Sequence, residues 1–388
     1  MGGSEAAARG YCENLVKAGH DVTVITSCAM SHHDWANELP IGVEIVNGVT
    51  VHRLPVAQPR TEENFSRVHR RAMSPIGRIN RSEARLWLSR IGPDLVGYEG
   101  WLGDNAHLFD AALVMTYMYP TTTRALPLLR TRCPAVLIPT AHDEHAFHLA
   151  AFRSLFRLPD AFGFLTPEER DLVISTFEPR AHHDVIGVGI ESIPPLGSND
   201  FHQRFGLGND PYVIIIGRVD ALKGTYEALE MFRAFKARHP GPLKLVIVGE
   251  RTESTTEDVI TTGFCSEVDK HRAITGAAAL IQPSYMESFS IVLCEAWLHS
   301  IPVIVNGHCD VTSGQVDRAH GGVTYRSYSE FEAALRTVLE CPESASNAGA
   351  NGARYVADNY SWPAVTKRIE VITDHAITNH QRQAAGVS

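Results

Sequence analysis

Two α/β domains are what this sequence predicts, and three observations predict them. At 388 residues the chain is longer than the roughly 250 at which a single core stops growing. Short apolar runs rich in Val and Ile recur every few tens of residues with amphipathic stretches between them, the pattern of βαβ units around parallel sheets. The alternation breaks over Glu191 to Pro211, where Pro194, Pro195, Gly197, Ser198, Asn199, Gly206 and Gly208 fall without periodicity, and then resumes. The expected order is an N-terminal domain over residues 1–190, a linker over 191–211, a C-terminal domain over 212–360, and a helix with a frayed tail over 361–388.

The first helix, Glu5 to Ala18, ends at Gly19, a C-cap signal. Strands of the first domain are expected at Asp21–Thr26, Gly48–Leu54, Ala112–Thr116, Ala135–Pro139, Ala161–Leu165 and His183–Val188. In the second domain they are expected at Tyr212–Ile216, Leu243–Val248, Asp258–Thr262, Ala278–Gln282 and Pro302–Val305, with helices between. After Trp362 the pattern is helical to about His375 and then frays. Gly2 and Gly3 directly follow Met1, whereas a Gly-rich turn entering a helix is ordinarily fed by a strand. Either the start is set late or the first sheet lacks a strand.

Composition narrows the function. With 44% hydrophobic and 20% charged residues the chain reads as globular, and no apolar run approaches the ~18 residues of a membrane span. No secretory signal is legible, and the seven cysteines lie far apart, so a soluble cytoplasmic protein with reduced thiols is expected. A formal charge of -9 argues against a general nucleic-acid binder. The exception is Arg60 to Arg90, where Arg60, Arg67, Arg70, Arg71, Arg78, Arg81, Arg85 and Arg90 face only Glu62, Glu63 and Glu83. It fits a solvated helix face, a site for a phosphorylated acceptor, or peripheral contact with an anionic membrane.

Arg218 and Lys223 follow the strand Tyr212–Ile216 within Gly217-Arg218-Val219-Asp220-Ala221-Leu222-Lys223-Gly224. Open α/β sheets bind ligands at the carboxyl ends of strands, and an Arg fork with a Lys point charge can clamp a diphosphate, although a surface ion pair has the same signature. No Asp-x-Asp occurs, which removes the commonest way of holding a metal under a sugar nucleotide, and no metal or cofactor is expected. A stronger signal is Pro283-Ser284-Tyr285-Met286-Glu287-Ser288-Phe289-Ser290-Ile291-Val292-Leu293-Cys294-Glu295-Ala296, with two glutamates bracketing seven residues at a strand-to-helix junction. Backbone N–H groups around Phe289 to Val292 suit a phosphate, and the carboxylates suit sugar and ribose hydroxyls; the alternative is Ser288 or Ser290 as an N-cap with both glutamates as dipole partners. His142-Asp143-Glu144-His145-Ala146-Phe147-His148 gathers five potential metal ligands, which fits a zinc hydrolase, plain loop histidines, or a substrate-contacting His142. Tyr98, Trp101, Tyr117 and Tyr119 fit either an aromatic acceptor platform or core packing.

Four ordered blocks, Gly217-Arg218 to Lys223-Gly224, Leu245-Val246-Ile247-Val248-Gly249, Thr262-Gly263-Phe264, and Glu287 to Glu295 with Ile301-Pro302-Val303, resemble the donor domain of family-four retaining glycosyltransferases. Gly2-Gly3-Ser4-Glu5, Ala18-Gly19-His20-Asp21-Val22 and Thr140-Ala141-His142-Asp143 resemble the acceptor domain of the same family, so the resemblance spans nearly the whole chain. It implies the GT-B fold, two Rossmann-like doubly wound domains facing a central cleft, with the C-terminal helix crossing back to the first. It further implies that Arg218 and Lys223 hold the diphosphate, Glu287 the transferred sugar and Glu295 the ribose, with His142 near the reacting centre. Gly3, Gly217, Gly249, Phe264, Ser288, Phe289, Ser290, Ile291 and Val292 would complete the donor site, and Asp143, Tyr98, Trp101 and Tyr119 the acceptor side. The reaction implied is transfer from a UDP- or GDP-sugar with retention and without a metal, to an acceptor carrying a hydroxyl, thiol or amine. Ser290 stands where this family usually has glycine, and His299-Ser300-Ile301 replaces its small turn. Rival readings are a sugar-nucleotide epimerase on the same fold and a non-catalytic nucleotide-sugar-binding subunit.

Overall fold

The computed structural model describes residues 2–74, 79–197, 200–220, 222–249 and 256–386; Arg78, Ser198, Asn199 and Ala221, named above, lie outside them. The chain divides into two compact units, one of Met1–Gly189 with Pro363–Ser388, the other of Ile190–Trp362.

Among the described residues seven strands belong to the first unit: β1 (Thr23–Ser27), β2 (Gly42–Val46), β3 (Val49–Leu54), β4 (Ala112–Met115), β5 (Ala135–Ile138), β6 (Ala161–Phe164) and β7 (His182–Val185). They form two sheets. One is ordered β1-β3-β2, the other β4-β5-β6-β7 and wholly parallel. Among the described residues no strand precedes the helix Gly3–Lys17. β2 is absent from the expected list. It pairs antiparallel with β3 across Asn47-Gly48, whose positive φ values of 50° and 83° make the tight hairpin turn that Asn-Gly favours. Every residue of β2 is exposed, so no buried apolar run marks it.

The core of this unit is aromatic, with Trp87, Tyr117, Phe147, Phe152, Phe156, Phe162 and Phe164 sealed from solvent. Asp160, 2% exposed, ties the C-terminal helix to it. Its carboxylate accepts from the Ala135 N–H at 3.0 Å, His380 Nδ1 at 3.0 Å and Gln383 Nε2 at 3.3 Å, and its carbonyl accepts from Asn379 Nδ2 at 2.9 Å. The helix therefore runs over Trp362–Ala384 instead of fraying after His375. Its polar last turns are ordered by a partner more than two hundred residues away.

In the second unit β8 (Tyr212–Gly217), β9 (Lys244–Gly249), β10 (Val259–Gly263), β11 (Ala279–Gln282), β12 (Val303–Asn306) and β13 (Gly322–Tyr325) form one parallel sheet ordered β10-β9-β8-β11-β12-β13. Its inner strands are buried on both faces, as their unbroken Val and Ile runs require. β13 was not expected, since Gly-Val-Thr-Tyr is short and half polar. The stretch expected as linker contains a helical turn, Phe201–Arg204, anchored by the fully buried Phe201. No helix among the described residues is long and apolar enough to cross a membrane.

Within the arginine-rich segment, Arg60 is structural. Its guanidinium donates to the carbonyls of His33 and Ile91 and lies 4.3 Å from the centre of the Phe65 ring. Arg71 pairs with Glu83 at 2.7 Å, while Arg67, Arg70 and Arg85 are exposed.

Candidate active site

Strand order reverses between β8 and β11, because β8 leads outward through β9 and β10 while β11 leads the other way through β12 and β13. Ligands of open parallel sheets bind outside the carboxyl ends of strands at such a switch point. The two loops leaving those strands are 217–224 and 283–290, the segments that carry most of the expected donor-site residues.

These loops are packed on each other at backbone level. Gly224 has φ 66° and begins the helix Thr225–Arg238; a Cβ there would stand 2.2 Å from the Pro283 carbonyl oxygen. The Tyr285 N–H donates to the Leu222 carbonyl at 3.2 Å, and Asn306, 3% exposed, donates through Nδ2 to the Pro283 carbonyl at 3.0 Å. Gly217 and Gly249 end β8 and β9 side by side, both with φ 143°, and a Cβ on Gly249 would meet the Gly217 carbonyl oxygen at 2.0 Å. Only glycine lets these strand ends approach so closely.

Lys223 and Glu287 meet across the packed loops. Lys223 Nζ donates to Glu287 Oε1 at 2.6 Å, with the side chains 29% and 12% exposed. Gln282, at the end of β11 and 4% exposed, donates through Nε2 to the same oxygen at 2.9 Å and to Ser290 Oγ at 2.9 Å. The carboxylate accepts only, which fixes the amide orientation of Gln282 and makes the Ser290 oxygen an acceptor in that bond. Both contacts fall on Oε1. Arg218 stands apart from this pair, its side chain 55% exposed and its Nε 3.6 Å from Asp220 Oδ2.

Ser290 precedes the helix Ile291–Leu298 with φ 71°, a left-handed conformation natural to glycine, and its side chain makes no capping bond. The N-cap reading of Ser290 is thereby corrected: its hydroxyl is turned to Gln282 and makes no capping bond. Phe289 is buried at 3% exposure with its ring edge-on to Tyr360. Phe264 is the opposite, 84% exposed just beyond β10. Glu295, one turn into the helix, is held through Oε1 by Lys270 Nζ at 2.8 Å. Lys270 and Gln282 were not anticipated from the sequence, because each meets its carboxylate partner only through the fold.

In the first unit Gly3 opens the helix Gly3–Lys17. The His142–His148 segment does not gather its ligands. Asp143 pairs with His148 at 2.5 Å, Glu144 accepts from the buried Tyr117 hydroxyl at 2.9 Å, and the His142 Nδ1 is 3.7 Å from Glu144 without a hydrogen bond. The group of metal-capable side chains that does converge among the described residues is Glu267, His271 and Glu295. The loop carrying His142 is held by Glu169, fully buried, whose carboxyl accepts the backbone N–H of Ala141 at 2.7 Å and of Leu165 at 2.6 Å. Burial is the main cause that pushes this carboxyl up to about 8, with the backbone donors pulling the other way. Of the two readings given for Tyr98, an acceptor platform or core packing, the burial fits core packing: it is 8% exposed and its hydroxyl donates to the Thr121 carbonyl. Trp101 and Tyr119 are part-buried, beside His52 and Phe109 and beside Trp35 respectively.

Residues 198–355 match the family described as glycosyl transferases group 1. Glycogen synthase of Mycobacterium tuberculosis is 22% identical over 373 residues, covering 90% of this chain and 86% of that protein. Among solved structures, sucrose-phosphate synthase from Thermosynechococcus elongatus superposes with a TM-score of 0.71 at 16% identity, over 100% of this chain and 95% of that one. The trehalose-6-phosphate protein of E. coli bound with UDP-2-fluoro glucose gives 0.70 at 12% identity, over 96% of both chains. The chain has the GT-B fold, and its residues 198–355 match the glycosyl transferases of group 1.

Proposed function

We propose that this chain is a glycosyltransferase that moves a sugar from a UDP- or GDP-sugar to a small-molecule, lipid-linked or saccharide acceptor, with retention of configuration and without a metal. The observation that carries the donor reading is the Lys223–Glu287 pair at the β8/β11 switch point, a cation and an acceptor carboxylate on two interlocked loops. Glu287 keeps Oε2 for a hydroxyl of the transferred sugar, since Lys223 and Gln282 both engage Oε1. Lys223 and Arg218 supply positive charge for the diphosphate, and the start of the helix Ile291–Leu298 supplies backbone donors and a positive dipole end. The exposed Phe264 ring offers a face for the base. The E. coli protein of similar fold is bound with UDP-2-fluoro glucose, a diphosphate ligand of the kind that this set of charges suits. Catalysis then rests on positioning and on stabilising the departing diphosphate, which itself takes the acceptor proton.

The test is thermal stabilisation of the purified chain by UDP, GDP, ADP, TDP and their sugar conjugates with EDTA present. A clear upward shift from one or two of them, with turnover unchanged by EDTA, is expected. In variants, Glu287→Ala abolishes transfer and leaves nucleoside diphosphate binding nearly intact, whereas Arg218→Ala and Lys223→Ala weaken that binding. Equal binding losses in all three, or an obligatory metal, would defeat the assignment.

A further inference from the structure

Glu295 and Glu287 each rest one carboxylate oxygen on a lysine, but the second lysine comes from an element outside both loops. Lys270 lies on the helix Glu267–Thr275, which follows β10. Its ammonium donates to Glu295 Oε1 at 2.8 Å and to Glu267 Oε2 at 2.6 Å. The side chains of Lys270 and Glu295 are 15% and 12% exposed, that of Glu267 76%. The ammonium thus bridges a buried carboxylate to a solvent-facing one, and Glu295 Oε2 takes no bond from it.

Two imidazoles complete the surroundings. His271 Nδ1 lies 2.8 Å from His299 Nε2, and His299 Nδ1 lies 2.9 Å from Thr275 Oγ1. Burial lowers both, His271 to about 4, so near neutral pH they are uncharged and Lys270 is the cation facing Glu295. Glu267, His271 and Glu295 have ligand atoms within 4.8 Å of one another. The ammonium already sits on both of those carboxylates, so their charge is answered from within the protein. Without it, Glu295 would be a largely buried carboxylate with no counter-ion, a state that favours the protonated acid.

We propose that Lys270 is a positioning residue for the nucleotide: by holding Glu295 through Oε1 it presents Oε2 to the ribose hydroxyls of a nucleoside diphosphate, and so sets the preference for ribose over 2′-deoxyribose. This rests on the reading of Glu295 as the ribose carboxylate. The chemical class it selects is a ribonucleoside diphosphate, independent of the base.

The experiment titrates the full chain and its variants with UDP and 2′-deoxy-UDP, and with GDP and 2′-deoxy-GDP. Hydrogen bonds to a charged group are worth about tenfold to a hundredfold in affinity, so the wild type should prefer the ribonucleotide by about that factor. Lys270→Met should lose most of that preference by weakening the ribonucleotide alone, and should regain part of it as pH rises and Glu295 ionises. Lys270→Arg, which keeps a cation in place and guards against a folding defect, should retain the preference. Equal losses for ribo- and deoxyribonucleotide in Lys270→Met, or a wild type that does not distinguish them, would overturn the proposal alone. A wild type that binds none of the four would overturn the nucleotide reading and this proposal with it.

Discussion

Gly224→Ala measures how tightly the two site loops are locked. Gly224 holds φ 66°, and an alanine in that region costs about 1–2 kcal/mol. The added Cβ would also stand 2.2 Å from the Pro283 carbonyl oxygen, which is backbone and cannot rotate away. Overpacking of this kind costs about 1–3 kcal/mol, giving roughly 2–5 kcal/mol in total. Gly208 is the control. It has φ 56° and nothing within 4 Å of an added Cβ, so Gly208→Ala carries only the conformational part. For a unit of this size, calorimetry should show Gly224→Ala lowering the melting temperature by roughly 5–15 °C and Gly208→Ala by roughly 3–6 °C. Titration with the nucleoside diphosphate separates them further, because only the first variant shifts Lys223 against Glu287. If both variants melt alike and bind alike, the two loops are not in backbone contact and the construction of the site from them is wrong.

Two further predictions concern the first unit. Glu169, with its carboxyl at about 8 when folded and near 4.5 when not, keeps a proton that the unfolded chain has lost. Its contribution is therefore fully present below about 4.5 and lost as pH rises through about 8, so the first unit should melt progressively lower across that window, less steeply in Glu169→Gln. Parallel melting profiles for the two proteins would contradict this. Asp160→Ala removes the acceptor shared by Ala135 and His380, an expected loss of about 1–3 kcal/mol, and hydrogen exchange should quicken over 379–384. Unchanged exchange there would mean that Asp160 does not order the end of the helix.

What the sequence makes legible follows from whether a signal is local. Buried parallel strands such as β8, β9 and β11 announce themselves because both faces need apolar side chains, and their ends were readable within a residue or two. β2 does not bury anything, so its only signal is the turn, Asn47-Gly48 between Val46 and Val49, a local mark of a hairpin without a buried apolar run beside it. The last turns of the C-terminal helix look like a frayed tail until Asp160 is seen opposite them. The same division holds at the site. Lys223 and Glu287 sit in loops whose spacing is recognisable, but Lys270 is a lysine on an amphipathic helix, indistinguishable in sequence from a solvated one. Gln282 closes an apolar run and carries no mark of the two bonds it makes. Ser290 was noticed as a departure from glycine, and its positive φ shows what that glycine would have relieved.

The split of the first unit's strands into two sheets bears on how the protein opens. In the second unit one hydrogen-bond network runs unbroken through six strands, so loosening any inner strand loosens its neighbours, and the sheet should behave as one cooperative block. In the first unit the ladders of β1-β3-β2 and β4-β5-β6-β7 are separate. Either ladder can come apart without taking the other's backbone bonds with it, while Ile25 and Leu54 of the first sheet still pack against the core that holds Leu137 and Phe162 of the second. The loop bearing His142 leaves β5, an inner strand of the four-stranded sheet, so opening of the β2–β3 hairpin breaks none of the ladder bonds beneath it.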